Sequence, residues 1–102
     1  TGDFNAVMKA IKKVDDCLKR VVHTAEEQDY SAIIIADHGN ADFMINDDGT
    51  PNTAHTTNPV WCICTDKSKK VHNGILADVA PSILDLMGVV QPAEMTGKSM
   101  LS

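Results

Sequence analysis

The 102-residue chain sets nine Lys and Arg against fourteen Asp and Glu, a net charge of −5, with 43% hydrophobic and only 4% aromatic residues. This is ordinary globular composition for one domain or part of one. The acidic balance speaks against a binder of nucleic-acid phosphates, and no apolar run approaches the ~20 residues that span a bilayer.

The first 28 residues carry a helical period. Phe4, Val7, Met8, Ile11, Val14, Leu18, Val21, Val22 and Ala25 recur at steps of three and four, which predicts a long amphipathic helix with its apolar stripe turned to a partner layer. Asp3 is placed to cap it. Thr1-Gly2-Asp3-Phe4-Asn5 has neither the basic nor the apolar region of a secretory signal. Tyr30 to Ala36 is a β-branched apolar run without alternation, the pattern of a strand covered on both faces in a parallel sheet.

Residues 39–58 read as a long excursion. It contains Phe43-Met44-Ile45, a candidate short helix or strand, and a dense turn signal from Asn46 to Asn52. A second strand is expected over Val60 to Thr65, where Cys62 and Cys64 share a face. Cys17, Cys62 and Cys64 are odd in number and read as thiols of a reduced, cytosolic chain, not as a disulfide framework. A second helix is expected over Ile75 to Met87, with Pro81 in its first turn and Gly88 ending it. The tail from Gln91 has turn chemistry and little period. Helix, strand, loop, strand, helix is an α/β order, and two strands alone suggest the edge of a larger sheet.

The chemistry lies in the loops. Asp37 and His38 follow the first strand, the end at which open α/β sheets bind ligands. His55 stands among short polar residues before the second strand. One carboxylate and two imidazoles suit Mn²⁺, Zn²⁺ or Fe²⁺ better than Ca²⁺. Three ligands are too few for a closed structural site, but are enough for part of a catalytic or two-metal site. The alternative is a hydrogen-bonded turn with surface histidines, as expected for His23 and His72. The chain has no glycine-rich phosphate loop and no serine with an evident paired base.

Ala36-Asp37-His38-Gly39-Asn40-Ala41-Asp42 and Thr53-Ala54-His55-Thr56-Thr57-Asn58-Pro59-Val60 closely resemble the cofactor-independent phosphoglycerate mutases of the alkaline phosphatase superfamily. Leu76 to Gly88 and Pro92 to Ser99 agree as well, so the resemblance covers essentially the whole chain. It implies the C-terminal part of an alkaline-phosphatase-like three-layer sandwich, with helices on a mostly parallel sheet. It also implies interconversion of 2- and 3-phosphoglycerate through a phosphoserine. Two divalent metals are implied, usually Mn²⁺, with Mg²⁺, Co²⁺ or Zn²⁺ as alternatives. Asp37 and His38 match ligands of the metal that activates the serine, and His55 matches a ligand of the second.

In the family a His ligand stands directly before a Thr-Gly pair like Thr1-Gly2, and an Asp ligand precedes that His with three residues between. The resemblance therefore implies that these ligands, the serine and the arginine-rich substrate domain lie outside these 102 residues. It implies a cytoplasmic, monomeric parent and a chain that is inactive alone. The truncated sheet, with an uncovered edge or apolar face, gives a chain open to self-association, and the composition gives no nucleic-acid or membrane partner. Phosphopentomutases and phosphatases of the same superfamily share the Asp-His-Gly and His-Thr elements. Asn40-Ala41-Asp42 and Thr57-Asn58-Pro59 favour the glycerate mutases. A non-catalytic α/β module is the third reading.

Overall fold

The computed structural model describes residues 3–102. It resolves into two compact units, one formed by the residues up to Tyr30 together with Ala36–Trp61, the other by Ser31–Ile35 and Cys62–Ser102.

The first unit is built on helix α1, Phe4–Glu27. Asp3 caps it as expected, accepting a hydrogen bond from the Ala6 N–H at 3.2 Å. The far end closes with a Schellman motif: the Tyr30 N–H bonds the Ala25 carbonyl at 2.8 Å, and the Asp29 N–H bonds Glu26 at 3.1 Å. Asp29 takes the left-handed position at φ 61°, where Asp is tolerated better than most side chains. The apolar stripe forms, but among the described residues only Val7 of it is buried, with Leu18, Val22 and Ala25 half-buried. Phe4, Met8, Ile11, Val14 and Val21 are all more than half exposed. A groove of about 410 Å³ runs along this stripe, between Val7, Ile11, Val14 and Leu18 of α1 and Asn40 and Ala41 of the following loop.

The second unit holds both strands. β1 is Ile33–Ile35 and β2 is Cys62–Cys64, shorter than the apolar runs that contain them. They pair antiparallel, Ile33 with Cys64 and Ile35 with Cys62, which corrects the parallel expectation. The reason lies in the connection. Parallel neighbours need a crossover, usually helical. Residues 36–61 contain no helix, and their arms pair with each other, Gly39 with Thr56, so the chain returns in the opposite direction. Cover on both faces is also not found among the described residues: Ile33 and Ile34 are half-buried, while Ile35 and Ile63 are exposed. Cys62 and Cys64 share the half-buried face as free thiols, and Cys17 is exposed.

The predicted second helix divides. Leu76–Asp78 forms a 3₁₀ turn, and α2 runs over Val79–Met87. Pro81 in its first turn is buried, and Gly88 ends it at φ 71°. The tail is more ordered than its lack of period suggests. Lys70 and Ser102 exchange both backbone hydrogen bonds, and the His72 N–H bonds Met100, so residues 70–72 and 100–102 form a short antiparallel ladder. Met100 and Leu101 are thereby buried, as are Pro81 and Ser82.

Asp78 ties this unit together. Its carboxylate accepts from the Lys98 N–H and the Ile75 N–H, both at 2.9 Å. These backbone bonds, Lys98 first, hold its carboxyl below the ordinary value of 3.8. A depressed folded-state pKa stabilises the fold above the unfolded value, and that contribution is lost as pH falls through 3.8 and below. An Asp78→Asn variant is expected to show a flatter loss of melting temperature across that acid range. An acid profile identical to that of the unaltered chain would contradict this assignment.

Candidate metal site

Two arms of the first unit carry the expected ligands, residues 37–42 and 53–58. The arms are zipped by the Gly39–Thr56 pair, whose Thr56 N–H bonds the Gly39 carbonyl at 2.8 Å. Asn40 Nδ2 donates to the Ala54 carbonyl at 3.4 Å. Between them the chain turns over Asn46–Thr50, with Gly49 at φ 85° and the Asn46 and Gly49 N–H groups closing the turn. Phe43-Met44-Ile45 forms neither a helix nor a named strand. Ile45 only bridges Pro51, and the Met44 and Phe43 carbonyls accept from Asn52.

The pairing brings His38 and His55 together, with ring centroids 3.7 Å apart and ring planes inclined by 39°. Asp37 Oδ1 lies 3.4 Å from His38 Nε2. Asp37 is largely exposed, and His38 less so. His38 Nδ1 is 3.1 Å from the Gly39 carbonyl. In the tautomer that donates this bond, Nε2 carries the lone pair and lies 3.4 Å from the Asp37 carboxylate. A metal-ligating histidine is commonly held in this way, by a backbone carbonyl on its other nitrogen. The donor set therefore fits a divalent cation shared by Asp37 and His38. Among the described residues, no three His, Cys, Asp or Glu side chains converge on one ion position, so His55 does not complete a single-ion site with them.

A polar cluster that sequence reasoning left unused lies across the two arms. Thr56 Oγ1 donates to Asp42 at 3.0 and 2.9 Å, one distance to each carboxylate oxygen, and Asn58 Nδ2 donates to Asp42 Oδ2 at 2.6 Å. Asn58 first and Thr56 second hold the Asp42 carboxyl below the usual carboxylate range. The signal for it was slight: Thr56 and Asn58 stand two residues apart, and both side chains reach the same carboxylate. Gly39 is required here, because a Cβ at that position would collide with Thr56 Oγ1 and the Asp42 carboxylate.

The other histidines stand apart from this chemistry. His23 pairs with Glu27 at 2.6 Å one turn away on α1. His72 Nε2 bonds Ser102 Oγ at 2.6 Å in the second unit.

The profile of the metalloenzyme superfamily matches residues 1–91. The chain belongs to the metalloenzyme superfamily. Among its superfamily relatives, the protein named 2,3-bisphosphoglycerate-independent phosphoglycerate mutase in Parabacteroides distasonis is 55% identical over 99% of this chain. The protein of the same name in Flavobacterium johnsoniae is also 55% identical over 99% of the chain. One in Methanosarcina barkeri, named as mutase 2, is 52% identical over the same share. The chain spans about 20% of the length of each of these relatives. No helix among the described residues is long and apolar enough to cross a membrane.

Proposed function

We propose that the chain is the C-terminal part of the metal-binding, alkaline-phosphatase-like domain of a cytoplasmic 2,3-bisphosphoglycerate-independent phosphoglycerate mutase. The observation that carries this reading is the identity of more than half of the aligned residues, along 99% of the chain, to proteins of that name. The exposed stripe of α1 and the partly covered strands support a larger parent domain whose further elements lie over them.

In this reading Asp37 and His38 hold one divalent cation, and His55 contributes to a second. Mn²⁺ fits the mixed carboxylate and imidazole donors. When bound, the two ions supply charge stabilisation to the oxygens of a transferring phosphoryl group and favour the alkoxide of a nucleophilic serine. The residues described here do the holding. Gly39 fixes the His38 tautomer, and the paired arms fix the spacing of the two imidazoles. Ser82 donates to the Asp78 carbonyl at 2.7 Å and Ser99 to the Asp85 carboxylate at 2.6 Å, both in the second unit and not in the arms that carry Asp37, His38 and His55. The serine of the reaction comes from elsewhere in the parent.

A chimaera tests the proposal. The chain replaces the corresponding C-terminal stretch of the Parabacteroides distasonis relative, and conversion of 3-phosphoglycerate is followed through enolase. Turnover is expected in the chimaera, and none above an Asp37→Ala control from the 102-residue chain alone. A folded chimaera without turnover, or a chain active by itself, would overturn the reading.

A further inference from the structure

We propose that Asp42 is a positioning residue that locks the His55 arm against the His38 arm and is not itself a metal ligand. The inference rests on the metal reading of Asp37, His38 and His55 given above, and it names what sets the spacing of those ligands.

Both Asp42 oxygens are already engaged. Thr56 Oγ1 reaches each of them and Asn58 Nδ2 takes Oδ2, across 14 and 16 residues of chain. Hydrogen bonds to an ionised carboxylate are shorter and stronger than neutral ones. Thr56 is the neighbour of His55 and the residue at which the two arms pair. Holding the Thr56 and Asn58 side chains on Asp42 therefore fixes the arm beside His55, whose ring lies on the His38 ring with centroids 3.7 Å apart. The Gly39–Thr56 pairing sets the register, and Asn40 Nδ2 holds the Ala54 carbonyl on the other side of His55. The carboxylate adds the side-chain bonds that fix Thr56 and Asn58. The missing side chain of Gly39 makes the approach possible, because its Cβ would occupy the place of Thr56 Oγ1. Ligands in a metal site must be held to within about 0.5 Å, and residues behind them do that work.

The test uses NMR of the imidazole rings in the full 102-residue chain. The unaltered chain is expected to show a nuclear Overhauser effect between the His38 and His55 rings without added metal. Asp42→Ala and the double variant Thr56→Val with Asn58→Ala are each expected to lose it, and Asp42→Glu to restore it. In a titration with MnCl₂, both rings of the unaltered chain are expected to broaden together. In Asp42→Ala, His55 is expected to need about 10–100-fold more Mn²⁺, with His38 unchanged. Persistence of the ring-to-ring effect in both Asp42→Ala and the double variant, with α1 intact, would overturn the inference. So would loss of the Mn²⁺ response at both rings with the ring contact preserved, since that is the behaviour of a ligand. An unaltered chain with the ring contact but no Mn²⁺ response at either ring would sink the metal reading instead, and the ring-contact series would still decide the role of Asp42.

Discussion

In the chimaeric enzyme, alanine at Asp37, His38 or His55 is expected to cost more than the roughly 10–100-fold that follows loss of a partner behind a metal ligand. The basis is the donor geometry. In the proposed site Asp37 and His38, 3.4 Å apart, share one ion, and removing either leaves a single protein donor from this chain for it. His55 is the proposed donor from the other arm, and its ring lies against that of His38. The loss is expected in kcat at saturating substrate, because charge stabilisation of a phosphoryl group acts on the transition state more than on the bound substrate. Alanine at His23 or His72 is the control. Those rings pair with Glu27 and Ser102 and are expected to leave turnover unchanged. Steady-state kinetics with a range of Mn²⁺ concentrations checks both halves. Equal kcat in the three ligand variants and the two controls would contradict the assignment.

Ser82→Ala is expected to destabilise the second unit by about 1–3 kcal/mol, the cost of leaving a buried donor without its partner. Ser82 is fully buried, donates to the Asp78 carbonyl at 2.7 Å and accepts from the Met100 N–H at 2.9 Å. The alanine strands the Met100 N–H inside the tail ladder. For a chain of this size each kcal/mol lowers the melting temperature by roughly 4–8 °C. Thermal melting measures the loss, and hydrogen exchange at Met100 and Leu101 locates it. An unchanged melting temperature would mean that the tail does not depend on this hydroxyl. Gly97 offers a second probe of the same packing, since a Cβ there would run into the Ala77 carbonyl.

The two helices were legible because their signals are local. The steps of three and four from Phe4 to Ala25, Asp3 before them and Gly88 after Met87 are each read within a few residues. Strand direction was not. An apolar run such as Ile33-Ile34-Ile35 says that a strand is wanted and says nothing about which way its neighbour runs. That was decided by the pairing of Gly39 with Thr56 in the intervening loop. The tail escaped for a related reason: Met100 and Leu101 are buried through backbone bonds to residues 70–72 and a single serine on α2, none of which leaves a period. In the site, Asp37, His38 and His55 stood out by residue type and by their places beside strands. Asp42 did not, because its role appears only when residues 14 and 16 positions away fold back onto it.

In the proposed site these two loops present their histidines and Asp37 to divalent cations. Paramagnetic broadening by Mn²⁺ in the intact 102-residue chain reads this out residue by residue. Asp37, His38 and His55 are expected to lose intensity first, with affinity weaker than micromolar because each ion lacks donors from the rest of the parent, while His23 and His72 stay sharp. Broadening that begins at His23 and Glu27, or at the turn around Asp47 and Asp48, with Asp37, His38 and His55 unaffected, would contradict it.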